Sequence, residues 1–156
     1  MKQLITYLLL TGLLLGLAGC RLNDAEYWNG IVAQIGDSQV TDDKDLIGTR
    51  TLTDSDDSYA GAYTAECEAV TGRDVIFGGA SIHNRELFLS GTVQTESGSA
   101  TVRIRLNEEV FELEPDADGY FETTLKLENG GNYIMVVYGD FSGKVEITCE
   151  SMDDET

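Results

Sequence analysis

The sequence predicts an all-β fold, an antiparallel sandwich of about seven short strands. Apolar and polar residues alternate with a period of two in successive runs from about residue 62 onward. Turn residues separate these runs at short and fairly regular intervals, and no run shows a helical period of convincing length. With 17 glycines and one proline, the composition suits many tight turns between short strands.

The middle of the chain supplies the clearest strands. Residues 87–93 and 101–106 keep alternate apolar side chains on one face. Residues 107–108 form a tight turn to a partner strand at 111–113. Residues 116–119 carry an Asp-Gly pair, the ordinary signal of a turn between two strands.

The remaining strands flank this region. The run 63–69 is predicted to be the first strand of the sandwich, and residues 121–127 alternate strictly. After a turn at 129–131, residues 133–138 are apolar at nearly every position, which predicts a central strand covered on both faces. Residues 145–149 form the last strand.

The N-terminal segment has the layout of a secretory signal peptide over residues 1–19. One cation, Lys2, precedes an apolar run over 4–18 that is too short and too interrupted to cross a bilayer. The segment ends Leu-Ala-Gly-Cys at residues 17–20, which resembles the lipobox of bacterial lipoproteins. The resemblance implies cleavage before Cys20, a lipid on its thiol, and membrane attachment in the cell envelope, at the outer membrane or the outer face of the cytoplasmic membrane.

Charge and composition divide the rest of the chain. Residues 20–58, rich in Asp, Gly, Ser and Thr, are predicted to be the lipidated cysteine followed by an acidic, extended and partly disordered tether, to which one short strand could be added. Residues 59–150 are the sandwich, and 151–156 an acidic tail. The net charge of −18 repels phosphate backbones, which argues against nucleic acid as a partner.

Two cysteines remain once Cys20 carries lipid. Cys67 and Cys149 both fall in the apolar phase of their strands, and an even pair in an exported protein predicts a disulfide. The alternative is two buried free thiols. A metal site is disfavoured because only His83 could add a nitrogen ligand and no Cys-x-x-Cys spacing exists.

Two ligand sites are also predicted. Carboxylates around one sharp turn could bind calcium, although an ordinary Asp-Gly hairpin explains the same residues. Aromatic side chains near turns could form a stacking platform for a sugar or a protein. The calcium candidates are Glu114, Asp116, Asp118 and Glu122, and the aromatic candidates are Tyr120 and Tyr133, with Tyr59 and Phe141 also expected to be exposed.

A run of motifs resembles the carboxypeptidase-regulatory-like, or transthyretin-like, group of β-sandwich modules, and a generic Ig-like sandwich is the alternative. The chain lacks the group's usual proline-containing, glycine-rich stretch and adds the cysteine pair. The resemblance covers about 50 residues and implies a non-catalytic accessory or stalk module. It rests on SGTV at 90–93, ATVRI at 100–104, DGYF at 118–121 and GNYI at 131–134.

No catalytic motif accompanies these elements. The chain has no Gly-x-Ser-x-Gly sequence, and its single histidine lies in a stretch typical of a loop. We therefore predict no enzyme and no resident cofactor. The predicted function is a lipid-anchored structural or interaction module with an envelope protein or glycan as partner, and the alternative is a calcium- or carbohydrate-binding surface lipoprotein.

Overall fold

The computed structural model describes residues 39–152. They form six strands and one 3-10 turn, and all the strand pairs are antiparallel, which confirms the all-β prediction. Within this range, none of the helical structure is long or apolar enough to span a bilayer. The predicted signal peptide and Cys20 lie outside the described residues. The elements are a 3-10 turn at Asp43–Asp45, β1 (Thr49–Leu52), β2 (Gly61–Ser81), β3 (Arg85–Leu106), β4 (Glu109–Leu113), β5 (Tyr120–Leu127) and β6 (Gly130–Ser151).

Three long strands run through the whole domain. The strand order is β1-β2-β6-β3-β4, and β5 also pairs with β3. The first half of β3, at 85–92, pairs with β5, whereas residues 102–106 pair with β4. We call the half of the sheet that contains β1 and β5 layer A, and the half that contains β4 layer B. β2, β3 and β6 each contribute to both layers and count once. The sheet therefore has six continuous strands rather than the predicted seven or so.

The two layers fold over one another. Tyr63 lies in layer A opposite Ile147, and Tyr138 lies in layer B opposite Gly72. Nine residues of β2 separate these positions, about 30 Å along a straight strand. The two tyrosine hydroxyl oxygens are nevertheless only 2.7 Å apart, so the strands bend back on themselves and enclose a common core.

Local irregularities produce the bends. The β2–β6 register shifts between Cys67 and Gly72, and the β3–β6 register shifts around Ser97. Such bulges kink a strand without ending it. Gly98 has φ +70°, and a Cβ there would lie 2.1 Å from the carbonyl oxygen of Asp140, so this close crossing of the strands requires glycine. The predicted strands at 87–93 and 101–106 are for this reason two parts of one bent strand.

The first half of β6 is buried on both faces, as predicted for residues 133–138. Ile134, Val136 and Tyr138 belong to the main core between the layers. Tyr133 and Met135 belong to a second cluster on the outer face of layer B. This double burial explains why the sequence is apolar at nearly every position there.

The domain begins well before the predicted boundary at residue 59. Val40 packs on the outer cluster of layer B, the backbone N–H of Thr41 donates to the carbonyl of Val75, and β1 pairs with β2. The predicted tether over 20–58 therefore overlaps the folded domain. Its acidic clusters occupy turns, while the few apolar residues between them, such as Leu46 and Ile47, pack against the core.

The Asp-Gly turn at 116–119 does not join two paired strands. β4 pairs with the end of β3 in layer B, and β5 pairs with its beginning in layer A. The segment 114–119 therefore carries the chain from one layer to the other. Local turn chemistry is the same in both arrangements, so the sequence pattern does not distinguish a hairpin from a crossing between layers.

Candidate functional site

An open polar groove lies where the long strands bend. It has a volume of about 710 Å³ and is formed by the bulged parts of β2, β3 and β6. We call it the bend groove. The side chains that matter for its chemistry are Glu66, Cys67, Glu68, Gln94, Glu96 and Lys144.

A second groove, of about 460 Å³, adjoins the first. Both grooves are lined by Gln94 and Thr95, so they share the bend of β3 as a common wall. Two of the predicted calcium ligands, Asp116 and Asp118, line this second groove. The bends thus bring the turn at 116–119 to the same part of β3 that borders the groove of Cys67, which no local sequence signal indicates.

Carboxylates outnumber cations in the bend groove. Glu66, Glu68 and Glu96 line it with a single lysine, Lys144, whose Nζ lies 2.9 Å from Oε1 of Glu146. This contact raises the pKa of Lys144 and partly neutralises its charge within the groove. The groove can therefore accept hydrogen bonds from hydroxyls or cations far more readily than it can hold an anion.

The structure does not assemble the predicted calcium ligands. The Oδ1 atom of Asp116 accepts hydrogen bonds from the backbone N–H groups of Asp118 and Tyr120, both at 2.9 Å, and so serves to close the turn. Glu122 lies on β5 and accepts a hydrogen bond from the Tyr120 hydroxyl. Glu114 is exposed in the link before the turn. Across residues 39–152, no three His, Cys, Asp or Glu side chains converge on a point where a metal ion could bind.

The predicted disulfide is wrong, because Cys67 and Cys149 are free thiols. Cys67 lies on β2, opposite Gly143 of the neighbouring strand β6. Cys149 is six residues further along β6 than Gly143, which is about 20 Å along the strand. A disulfide requires Cα atoms less than about 7 Å apart. Burial raises the pKa of both thiols, that of Cys149 to about 12, so both remain protonated at neutral pH. Alternation correctly identifies the buried face, but it carries no information about position along the strand.

The predicted aromatic platform is not formed either. Tyr133, Tyr59 and Phe141 are buried, and Tyr133 packs on the outer face of layer B. Tyr120 is 40% exposed on layer A, next to Gly119 in the wall of the second groove. Its hydroxyl donates to Glu122 at 2.6 Å, which raises the pKa of Tyr120. Only Tyr120 of the predicted aromatic residues is therefore available to a ligand.

A buried polar network holds the segment before β1 on the core. Asp74 is fully buried and accepts hydrogen bonds from the backbone N–H groups of Ile47 and Gly48 and from the hydroxyl of Tyr63. That hydroxyl has one hydrogen, which it gives to Asp74, so Tyr138 donates in the 2.7 Å contact between the tyrosines. The sequence carried one signal of this network, a lone acid before the apolar run 75–77.

An ion pair joins Asp57, in the segment before β2, to Arg85 at the start of β3. Both terminal nitrogens of Arg85 donate to the carboxylate of Asp57, at 3.0 and 2.8 Å, and the guanidinium lies 5.1 Å from the ring centre of Tyr59. The hydrogen bond from Arg85 holds the pKa of Asp57 below its usual value. Like the Asp74 network, this pair fixes to the domain a segment that was predicted to be tether.

The sequence and the fold were compared with those of known proteins. No protein-family model and no curated protein matches the sequence. Among solved structures, the chain is similar to a carbohydrate-binding module, CBM6cm-2, from Cellvibrio mixtus lichenase 5A in complex with cellotriose. The identity is 8%, the TM-score is 0.33, and the match covers 67% of this chain and 86% of that one. A similarity at this level supports no conclusion about ligand.

Proposed function

We propose that this chain is a lipid-anchored protein of the bacterial cell envelope whose β domain is a non-catalytic interaction module. The observation that carries the proposal is the Leu-Ala-Gly-Cys sequence at residues 17–20, directly after an apolar segment of secretory length. Lipid on Cys20 attaches the chain to a membrane without a spanning helix.

The number of residues between the lipid site and the folded domain fits such a role. Val40 is the first described residue that packs on the domain. The roughly twenty residues between Cys20 and Val40 can span at most about 70 Å. That reach is enough for the domain to contact components beyond the membrane surface.

Fatty-acid labelling tests the anchor. Cells expressing the chain are grown with an alkyne-bearing fatty acid, and the protein is examined for incorporated label. We expect label in the parent chain and in Cys67→Ala, but none in Cys20→Ala, which should also keep its signal peptide. Equal labelling of Cys20→Ala would contradict the proposal.

Carbohydrate binding is a second candidate function. It is favoured by Tyr120, an exposed aromatic residue that directly follows Gly119 of the second groove, and by the acceptor oxygens of Asp116 and Asp118 in that groove, since sugars bind through ring stacking and hydroxyl hydrogen bonds. Affinity electrophoresis in gels containing soluble polysaccharides tests it. Retardation should be lost in Tyr120→Ala and kept in Val110→Ala, a matched exposed residue on β4. No retardation in any gel, or equal retardation of the two variants, would argue against this function.

A further inference from the structure

β5 is an edge strand with one open side. Its eight residues pair with β3 without any register shift, from Arg85 opposite Leu127 to Thr92 opposite Tyr120. Within the described part of the chain, no strand pairs with its other side. The strand contains no proline, and such an edge presents a row of backbone N–H and C=O groups to a second strand.

The other edges of the domain are short or covered. β1 has four residues and β4 has five. The second half of β2 is covered: Thr41 exchanges hydrogen bonds with Val75 through its backbone N–H and side-chain hydroxyl, and Arg50 donates to the carbonyl of Ile76. β5 is therefore the longest edge that residues 39–152 leave open.

The inward-facing side chains of β5 indicate which residues an added strand should have on its inward face. Phe121, Leu125 and Leu127 are buried against the core, whereas Thr123, between them, is partly exposed. An added strand would place every second side chain beside this row. Those positions fit apolar residues, which would extend the core past its present edge.

The outward-facing side chains of β5 and its neighbours in layer A indicate the charge that an added strand should have on its outward face. Glu122 is exposed on β5, and Glu150 is exposed on the same face of layer A, where Glu146 is paired with Lys144 at 2.9 Å. β5 carries one cation, Lys126. Its Nζ lies 3.1 Å from Oε1 of Glu86, so its charge is partly neutralised. The net charge of the whole chain is −18. A partner strand with lysine or arginine at its outer positions complements this surface.

We propose that the open edge of β5 binds a basic, extended polypeptide segment as an added antiparallel or parallel strand. Main-chain hydrogen bonds would supply affinity, and the alternation of basic and apolar residues would supply specificity. The inference rests on the proposed function as an interaction module and identifies the partner class for it. It does not depend on the lipid at Cys20.

The test uses the chain from residue 20 with Cys20→Ser and a fluorescent octapeptide of alternating lysine and valine. We expect binding by fluorescence anisotropy, together with slower amide hydrogen exchange over 120–127. An octapeptide of alternating glutamate and valine should bind at least about tenfold more weakly because like charges oppose pairing. Glu122→Lys should weaken binding of the lysine peptide by about threefold to tenfold.

Glu109→Lys is the matched control, because it makes the same charge change on the exposed edge strand β4. It should change the affinity by less than about twofold at physiological salt. If Glu122→Lys fails to fold, as judged by circular dichroism, Glu122→Gln should still weaken binding while Glu109→Gln does not. No binding, equal loss in the two charge variants, or exchange protection confined to other strands would overturn the proposal. Loss of fatty-acid labelling with peptide binding retained would instead remove the anchor alone.

Discussion

Removal of the Tyr63 hydroxyl should destabilise the domain more than removal of the Tyr138 hydroxyl. Both rings are buried in the main core. The Tyr63 hydroxyl makes two hydrogen bonds, one to Asp74 and one with Tyr138, whereas only the contact with Tyr63 is observed for the Tyr138 hydroxyl. Because these groups link residues of β2 and β6 across the bend, the comparison tests the folding of the sheet into two layers.

The expected magnitudes follow from the bonds lost. A hydrogen bond to a charged group contributes about 1.5–3 kcal/mol and a neutral one about 0.5–1.5 kcal/mol. Tyr63→Phe should therefore lower the free energy of unfolding by about 2–4 kcal/mol, and Tyr138→Phe by about 1 kcal/mol. In the double variant, the second change should add almost nothing, since the shared bond is already lost.

Urea unfolding followed by circular dichroism measures these differences. Tyr120→Phe is the control, because this exposed hydroxyl lies outside the core, and its cost should stay below about 0.5 kcal/mol. Equal costs for Tyr63→Phe and Tyr138→Phe, or costs that simply add in the double variant, would refute the proposed network.

Three further predictions concern the boundary, the thiols and an ion pair. A chain that begins at residue 59 lacks β1 and should unfold without a cooperative transition, whereas one that begins at residue 39 should melt cooperatively; equal melting curves would contradict the early boundary. Maleimide labelling of the denatured, unreduced domain should modify both Cys67 and Cys149, and dithiothreitol should leave the melting temperature unchanged; one or no labelled thiol would contradict the register. Asp57→Asn should lower stability by about 1 kcal/mol at pH 7. Since the ion pair lowers the pKa of Asp57, its contribution is fully present above the ordinary value of 3.8 and is lost as the pH falls through the lowered value, so the difference between parent and variant should shrink as the pH falls below 3.8; a difference in melting temperature that stays constant over this range would argue against the ion pair.

Local sequence patterns predicted the strands far better than their arrangement. Alternation identified the inward residues of β3 and β5, and the unbroken apolar run at 133–138 correctly indicated a strand buried on both faces. These features depend only on neighbours along the chain. The bends depend on contacts between strands, such as the approach of Asp140 to Gly98, and have no equally clear local signal.

Composition gave the wrong boundary for a related reason. The acidic clusters before residue 59 resemble a disordered tether on average, but a few side chains decide the structure. Arg50 donates to the carbonyl of Ile76, and Asp74 accepts the N–H groups of Ile47 and Gly48. These partners are more than twenty residues apart in sequence, so a reading by composition misses them.

The candidate site shows the same division. The turn chemistry at 116–119 was correctly predicted, because Asp116 closes the turn through its own neighbours. Whether Asp116 and Asp118 also meet other acids depends on the crossing between layers, and the structure places them beside Gln94 and Thr95 instead. Likewise, the alternation of apolar and polar residues correctly predicted that Cys149 is buried. It did not predict how far Cys149 lies from Cys67.

The mass of the N-terminal peptide, measured on protein purified from the membrane fraction, shows whether the chain is anchored by lipid. We expect the chain to begin at Cys20 and this residue to carry a diacylglyceryl group. A first residue other than Cys20, or an unmodified Cys20, would contradict this expectation.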